Sequence, residues 1–114
     1  MSVPTVEFLY WRECPSWERA LGMLREEMGS VGLDSGSVRV REVDTEQGAR
    51  EEEFVGSPTI RVDGADVQPP GPDEPVGLNC RIYRRGDGRI SPLPEAAEVR
   101  RVLLLATRKG VRTP

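Results

Sequence analysis

The chain has 114 residues, 37% of them apolar and 31% charged, and a net charge of -3. This length suits one domain with a modest core, and the slightly acidic, interspersed charge offers no basic stripe to nucleic acid. Histidine is absent, which excludes a histidine-assisted hydrolase and most zinc sites, and the two cysteines, Cys14 and Cys80, are too few for a disulfide scaffold.

The 12 glycines and 10 prolines imply a large loop content. The longest unbroken apolar run, Val102 to Ala106, falls far short of the roughly 20 residues needed to span a bilayer. Glu7 interrupts the N-terminal apolar run, so the pattern of a signal peptide is missing. The expectation is a cytoplasmic protein with no membrane and no nucleic-acid partner.

After a short tail at Met1 to Pro4, Thr5 to Tyr10 reads as a first strand, with Val6 and Phe8 on one face and Leu9 on the other. Trp11 to Cys14 forms the loop after it. Pro15 suits a first helical position, where a missing N–H costs nothing. This predicts a helix from Pro15 to about Met28, with Cys14 at or just before its N-cap. Trp17, Ala20, Leu21, Leu24 and Met28 make its apolar stripe. A thiolate at that position would meet unpartnered backbone N–H groups and the positive end of the helix dipole. Trp17, in the first turn, packs in the core or else shields the sulfur; Tyr10 and Trp11 read first as cover for the sheet edge, with Trp11 lining a groove as the alternative. Both Arg12 and Glu13 read first as solvated loop charges; near the sulfur, Arg12 would support a thiolate and Glu13 oppose it.

Gly29 to Ser37 reads as loop and Ser37 to Val43 as a second strand, with Val38 and Val40 alternating with arginines as at a sheet edge. Asp44 or Thr45 caps a weak helix from Glu46 that buries Ala49 and Phe54 and ends before Gly56. Pro58 leads a strand carrying Ile60 and Val62, and Asp63-Gly64 signals a hairpin turn, with Ala65 to Val67 as the return strand. Gln68 to Gly77 holds four prolines and reads as an ordered loop or extended spacer. Cys80 to Arg84 reads as a strand in which Ile82 is flanked by Arg81 and Tyr83. Arg85 to Arg89 is a turn; its Arg-Gly-Asp tripeptide reads as turn chemistry and not as an adhesion motif. A last helix, Glu95 to about Thr107, points Val99, Val102, Leu103 and Ala106 inward, with Leu104 and Leu105 widening its apolar face. Lys109 to Pro114 reads as frayed.

The order strand–helix–strand–helix–strand–strand–helix predicts an α/β fold, a small mixed sheet covered by helices on both faces, in one domain with a proline-rich insertion at about 68–79. Three features in this order carry a resemblance. They are Cys14-Pro15-Ser16-Trp17 between the first strand and helix, Gly56-Ser57-Pro58-Thr59 before a strand, and Val62-Asp63-Gly64 at a hairpin. Together the chain resembles the thioredoxin-like superfamily, nearest to its glutaredoxin-like members, over nearly its whole length. The resemblance implies a three-layer α/β/α sandwich and a cis bond at Pro58. It also implies that Pro58 walls the site and that the Ser57 backbone contacts an extended thiol substrate.

One departure is that Trp17 stands where the family's redox motif has its second cysteine or a serine, so Cys14 has no local disulfide partner. The proline-rich stretch replaces the segment that glutaredoxins use for glutathione. No cofactor is expected.

Cys80 is the remaining protein sulfur able to resolve a mixed disulfide. Two arrangements stay open. If Ala65 to Val67 is the return strand, the insertion can bring Cys80 beside Cys14. If the return strand is Cys80 to Arg84, Cys80 starts at the far end of the sheet. The Asp63-Gly64 signal favours the first. The expected activity is thiol–disulfide exchange with a small thiol or a thiol- or disulfide-containing protein, with Cys14 attacking and Cys80 resolving. The alternatives are a non-enzymatic domain that binds a partner through the Cys14 and Pro58 surface, and a two-thiolate site for a soft metal or organomercurial.

Overall fold

The computed structural model describes residues 3–111. Part of the expected N-terminal tail, residues 1 and 2, and the end of the segment expected to fray, residues 112–114, lie outside the described residues.

Strand β1 (Val6–Tyr10) is followed by α1 (Trp17–Ser30), a 3-10 turn at Ser35–Ser37, β2 (Arg39–Glu42), α2 (Glu46–Glu52), β3 (Thr59–Val62) and β4 (Ala65–Asp66). A separate hairpin, β5 (Tyr83–Arg84) and β6 (Ile90–Ser91), precedes α3 (Ala96–Val111). The main sheet runs β2-β1-β3-β4. β1 pairs in parallel with β2 and antiparallel with β3, placing Phe8 opposite Ile60 and Val6 opposite Val62. This is a thioredoxin-like three-layer α/β/α sandwich with a small mixed sheet.

The period-two alternation of β1 feeds both faces. Val6 and Phe8 join Ile60, Val62, Leu24 and Met28 of α1, and Val99 and Leu103 of α3 in the larger core. Leu9 turns to the other face and packs with Val43, Ala49 and Phe54 beside α2. The short helix α2 is held at both ends. The Thr45 hydroxyl accepts from Gly48 N–H at 2.9 Å, and Glu53 closes it in a left-handed conformation. Asp63 (φ 51°) and Gly64 (φ 83°) give the two positive-φ positions that a tight hairpin turn needs.

Several boundaries differ from the sequence expectation. α1 starts at Trp17 and not at Pro15, because residues 15 and 16 form a turn ahead of it. β2 spans Arg39–Glu42 and not Ser37 to Val43, with Val38 and Val43 buried just outside it; it lies at the sheet edge as expected, with Val40 39% exposed. The predicted strand from Cys80 shrinks to Tyr83–Arg84, because Cys80 leaves the hairpin to bridge Ser57. Within that stretch Arg81 and Tyr83 are buried and Ile82 is exposed. Residues 85–89 form the predicted turn, with Arg85 N–H donating to Arg89 O at 2.7 Å, and it joins a second strand, β6, that has no counterpart in the sequence reading. Helix α3 continues through Val111, past the expected end near Thr107. Leu104 and Leu105 face solvent and do not widen its packed face.

Candidate functional site

Cys14 sits in the β1–α1 loop. Its N–H donates to Trp11 O at 3.0 Å, closing one turn, and a second turn precedes the helix. The N-cap is therefore Ser16, so Cys14, expected at or just before the cap, lies two residues ahead of it. Support for the sulfur comes from neighbouring polar groups. The Ser16 hydroxyl lies 3.3 Å from Cys14 Sγ, and the thiol donates to Ser57 O at 3.4 Å.

Cys80 reaches the same place from the other side. Ser57 N–H donates to Asn79 O at 2.8 Å, and Arg81 N–H donates to Ser57 O at 2.9 Å. These two bonds form a parallel bridge that sets Cys80 opposite Ser57. The two cysteines lie 3.6 Å apart, and both are free thiols. Of the two arrangements open in the sequence, the hairpin β3–β4 with Cys80 beside Cys14 is the observed one.

The two sulfurs differ in setting. Cys14 is 1% exposed, whereas Cys80 is exposed to solvent. Burial opposes ionisation of Cys14. Hydrogen bonds from the Ser16 hydroxyl and N–H, then from Cys80 and Ser57, outweigh it and hold the thiol below its ordinary pKa. Ser57 Oγ is buried with no other partner among the described residues, so its hydroxyl is free to turn to a Cys14 thiolate. Cys80 moves the opposite way: partial burial raises its pKa, and the hydrogen bond and negative charge of Cys14 raise it further.

The segment carrying Cys80 is locked from behind by Arg81, which is 3% exposed. Its guanidinium grips Asp66 and also donates to Thr59 Oγ1 at 3.3 Å and to the Gln68 carbonyl. It stacks over the Tyr83 ring, 4.5 Å from the centroid. Tyr83 in turn donates from its hydroxyl to Pro58 O. Gly56 (φ 137°) lets the backbones close up, since a Cβ there would sit 3.0 Å from Arg81 Cα, Cβ and N. The Ser57–Pro58 bond is cis, and Pro58 is fully buried.

The structure thus gathers Cys14, Ser57, Pro58 and Cys80 in one place. Trp17 is half-buried and stacks on Tyr10, with ring centroids 4.2 Å apart. Trp11 is half-buried and packs with Leu78 against the α2-side core. Arg12, suggested as support for a thiolate, is paired instead with Glu42 at 3.5 Å on the surface. Ser16, Arg81, Asp66 and Tyr83 were not singled out from the sequence. Ser16 had a usable signal, a hydroxyl two residues from a cysteine. Arg81 had none, since an arginine in a polar stretch reads as solvated. No helix among the described residues is long and apolar enough to cross a membrane. In comparisons with protein-family models, curated proteins and solved structures, nothing matches this chain.

Proposed function

We propose that this chain is a thiol–disulfide oxidoreductase-like protein whose Cys14 and Cys80 close into one reversible disulfide. The observation that carries the reading is the 3.6 Å approach of two free thiols from distant parts of the chain. Exchange needs a thiolate and a second sulfur within reach. The polar groups around Cys14 favour its thiolate, and Cys80 is the second sulfur. Ser57 and Pro58 form the platform between the segments that carry them, with Trp11 and Trp17 flanking the β1–α1 loop. The substrates that suit the site are small thiols and disulfides, or proteins carrying them, in a cytoplasmic setting. The glutaredoxin-like resemblance supports the reading through Cys14-Pro15 and the Ser57-Pro58-Thr59 segment.

The test is mild oxidation of the reduced protein with hydroxyethyl disulfide, followed by intact mass and thiol alkylation. Loss of two hydrogens with both thiols blocked supports the proposal. Two thiols that stay free and alkylatable refute it.

The same proximity favours a second reading, soft-metal binding by two thiolates. Titration with cadmium under reducing conditions, read by native mass and by sulfur-to-metal charge-transfer absorbance, separates the two. Tight one-to-one binding that either Cys→Ser change abolishes would favour the metal reading.

A further inference from the structure

We propose that Cys80, and not Cys14, is the sulfur that exchanges with external disulfides, while Cys14 is the internal partner that makes and breaks the protein bond. The inference rests on the oxidoreductase reading and reverses the roles that the motif position suggests.

The argument is one of access and direction. Cys14 is 1% exposed, enclosed by Ser16, Ser57 and Cys80. A sulfur so covered cannot line up with an incoming disulfide, which must approach along its own S–S axis. Cys80 is exposed and lies 3.6 Å from it. An external disulfide therefore meets Cys80 first. The bridge of Asn79 and Arg81 to Ser57 keeps Cys80 in reach of Cys14 without covering its outer side.

The steps balance in both directions. In oxidation of the protein, the Cys80 thiolate attacks an external disulfide R–S–S–R. A bond forms between Cys80 Sγ and one RS group as the external S–S bond breaks, the other RS group leaves as a thiolate, and the Cys80 proton passes to solvent. The Cys14 thiolate then attacks Cys80 Sγ, forming the Cys14–Cys80 bond and expelling the second R–S thiolate. Two electrons pass from the two protein sulfurs to the disulfide, which becomes two thiols on protonation.

In reduction, an external thiolate attacks Cys80 Sγ, the exposed end of the protein disulfide. The electron pair leaves on Cys14, where Ser16 and Ser57 are already placed to stabilise it. The lowered pKa of Cys14 and the raised pKa of Cys80 agree with this polarity, because a sulfur of lower pKa is the better leaving group. Attack at Cys14 would expel the poorer leaving group and would require a buried trajectory.

The experiment compares full-length wild type, Cys14→Ser and Cys80→Ser, each reduced and then treated with hydroxyethyl disulfide. The Cys14→Ser protein is expected to accumulate a stable adduct on Cys80. The Cys80→Ser protein should form its adduct on Cys14 at least about tenfold more slowly, since access limits exchange. Adduct formation on Cys14 as fast as on Cys80 would overturn the inference. Rapid acid quenching of the wild-type reaction, with the mixed disulfide mapped by peptide mass, decides the same point even if a variant fails to fold. An adduct on Cys80 supports the assignment and one on Cys14 refutes it. Whether the wild-type protein ends with an internal disulfide tests the oxidoreductase reading separately.

Discussion

Arg81 and Asp66 form a two-point ion pair inside the protein, Nη1 to Oδ2 at 2.6 Å and Nη2 to Oδ1 at 3.0 Å, with side chains only 2% and 11% exposed. It ties the strand end β4 to the residue that follows Cys80. Removing one partner of a buried pair leaves an uncompensated charge and costs about 3–5 kcal/mol. Asp66→Ala is therefore expected to lower the urea-unfolding free energy by that amount. Replacing both partners by apolar residues should cost much less than either single change. Equal stability of Asp66→Ala and wild type would show that the pair does not anchor this segment.

Gly56→Ala probes the close approach beneath the bridge. The added methyl meets Arg81 backbone and side-chain atoms at 3.0 Å, in a conformation with φ 137° that side chains rarely adopt. Crowding and backbone strain each cost about 1–3 kcal/mol. The Arg81 segment has to move away from Ser57, so closure of the Cys14–Cys80 bond should slow together with the loss of stability. Unchanged closure in a destabilised protein would separate the two effects and contradict this account.

The pH dependence of closure follows from Cys14. In the proposed reaction its thiolate performs the attack, and its pKa is held below the ordinary thiol value. The rate of closure from a Cys80 adduct should be flat above that pKa and fall about tenfold per pH unit below it. Ser16→Ala removes the principal supporting hydrogen bond. A hydrogen bond to a charged group is worth about 1.5–3 kcal/mol, so closure at neutral pH should slow by about 10- to 100-fold while the alkaline plateau remains. Stopped-flow release of the leaving thiol measures both.

Tyr83 makes a separate prediction at alkaline pH. Burial raises the pKa of its phenol above the usual value, although the Arg81 guanidinium pulls the other way. With the folded pKa above the unfolded one, its contribution to stability is complete below about pH 10 and is lost as pH rises beyond that. Tyr83→Phe should cost about 1–3 kcal/mol at neutral pH, because the buried Pro58 carbonyl loses its donor. Its stability should then fall less steeply than wild type between about pH 9 and 11, as followed by urea unfolding.

Local patterns made much of this fold readable. The alternation Val6, Phe8 against Leu9 assigns both cores, and the helical stripe through Ala20, Leu24 and Met28 assigns the face of α1. Asp63-Gly64 marks the hairpin that turns the chain back toward Cys14. What stayed hidden depends on distant partners. Two-residue strands such as β5 and β6 are too short to show a period. Arg81 reads as a surface charge until Asp66, Thr59 and Gln68 are brought around it. The start of α1 falls two residues later than Pro15 suggests, because Pro15 fits a first helical turn as well as the loop turn it occupies.

The bridge at Ser57 bears on which partners this site accepts. Ser57 has one donor and one acceptor on its main chain, and residues 79 and 81 of the same molecule take both. A visiting polypeptide in extended form would have to evict that segment, exchanging two hydrogen bonds for two, with little net gain. The eviction would also carry Cys80 away from Cys14. A compact thiol faces no such competition, since it needs only the outward side of one sulfur. In the proposed reaction, the Ser57 edge filled by residues 79 and 81 favours compact thiols, or protein thiols that reach Cys80 without pairing in extended form.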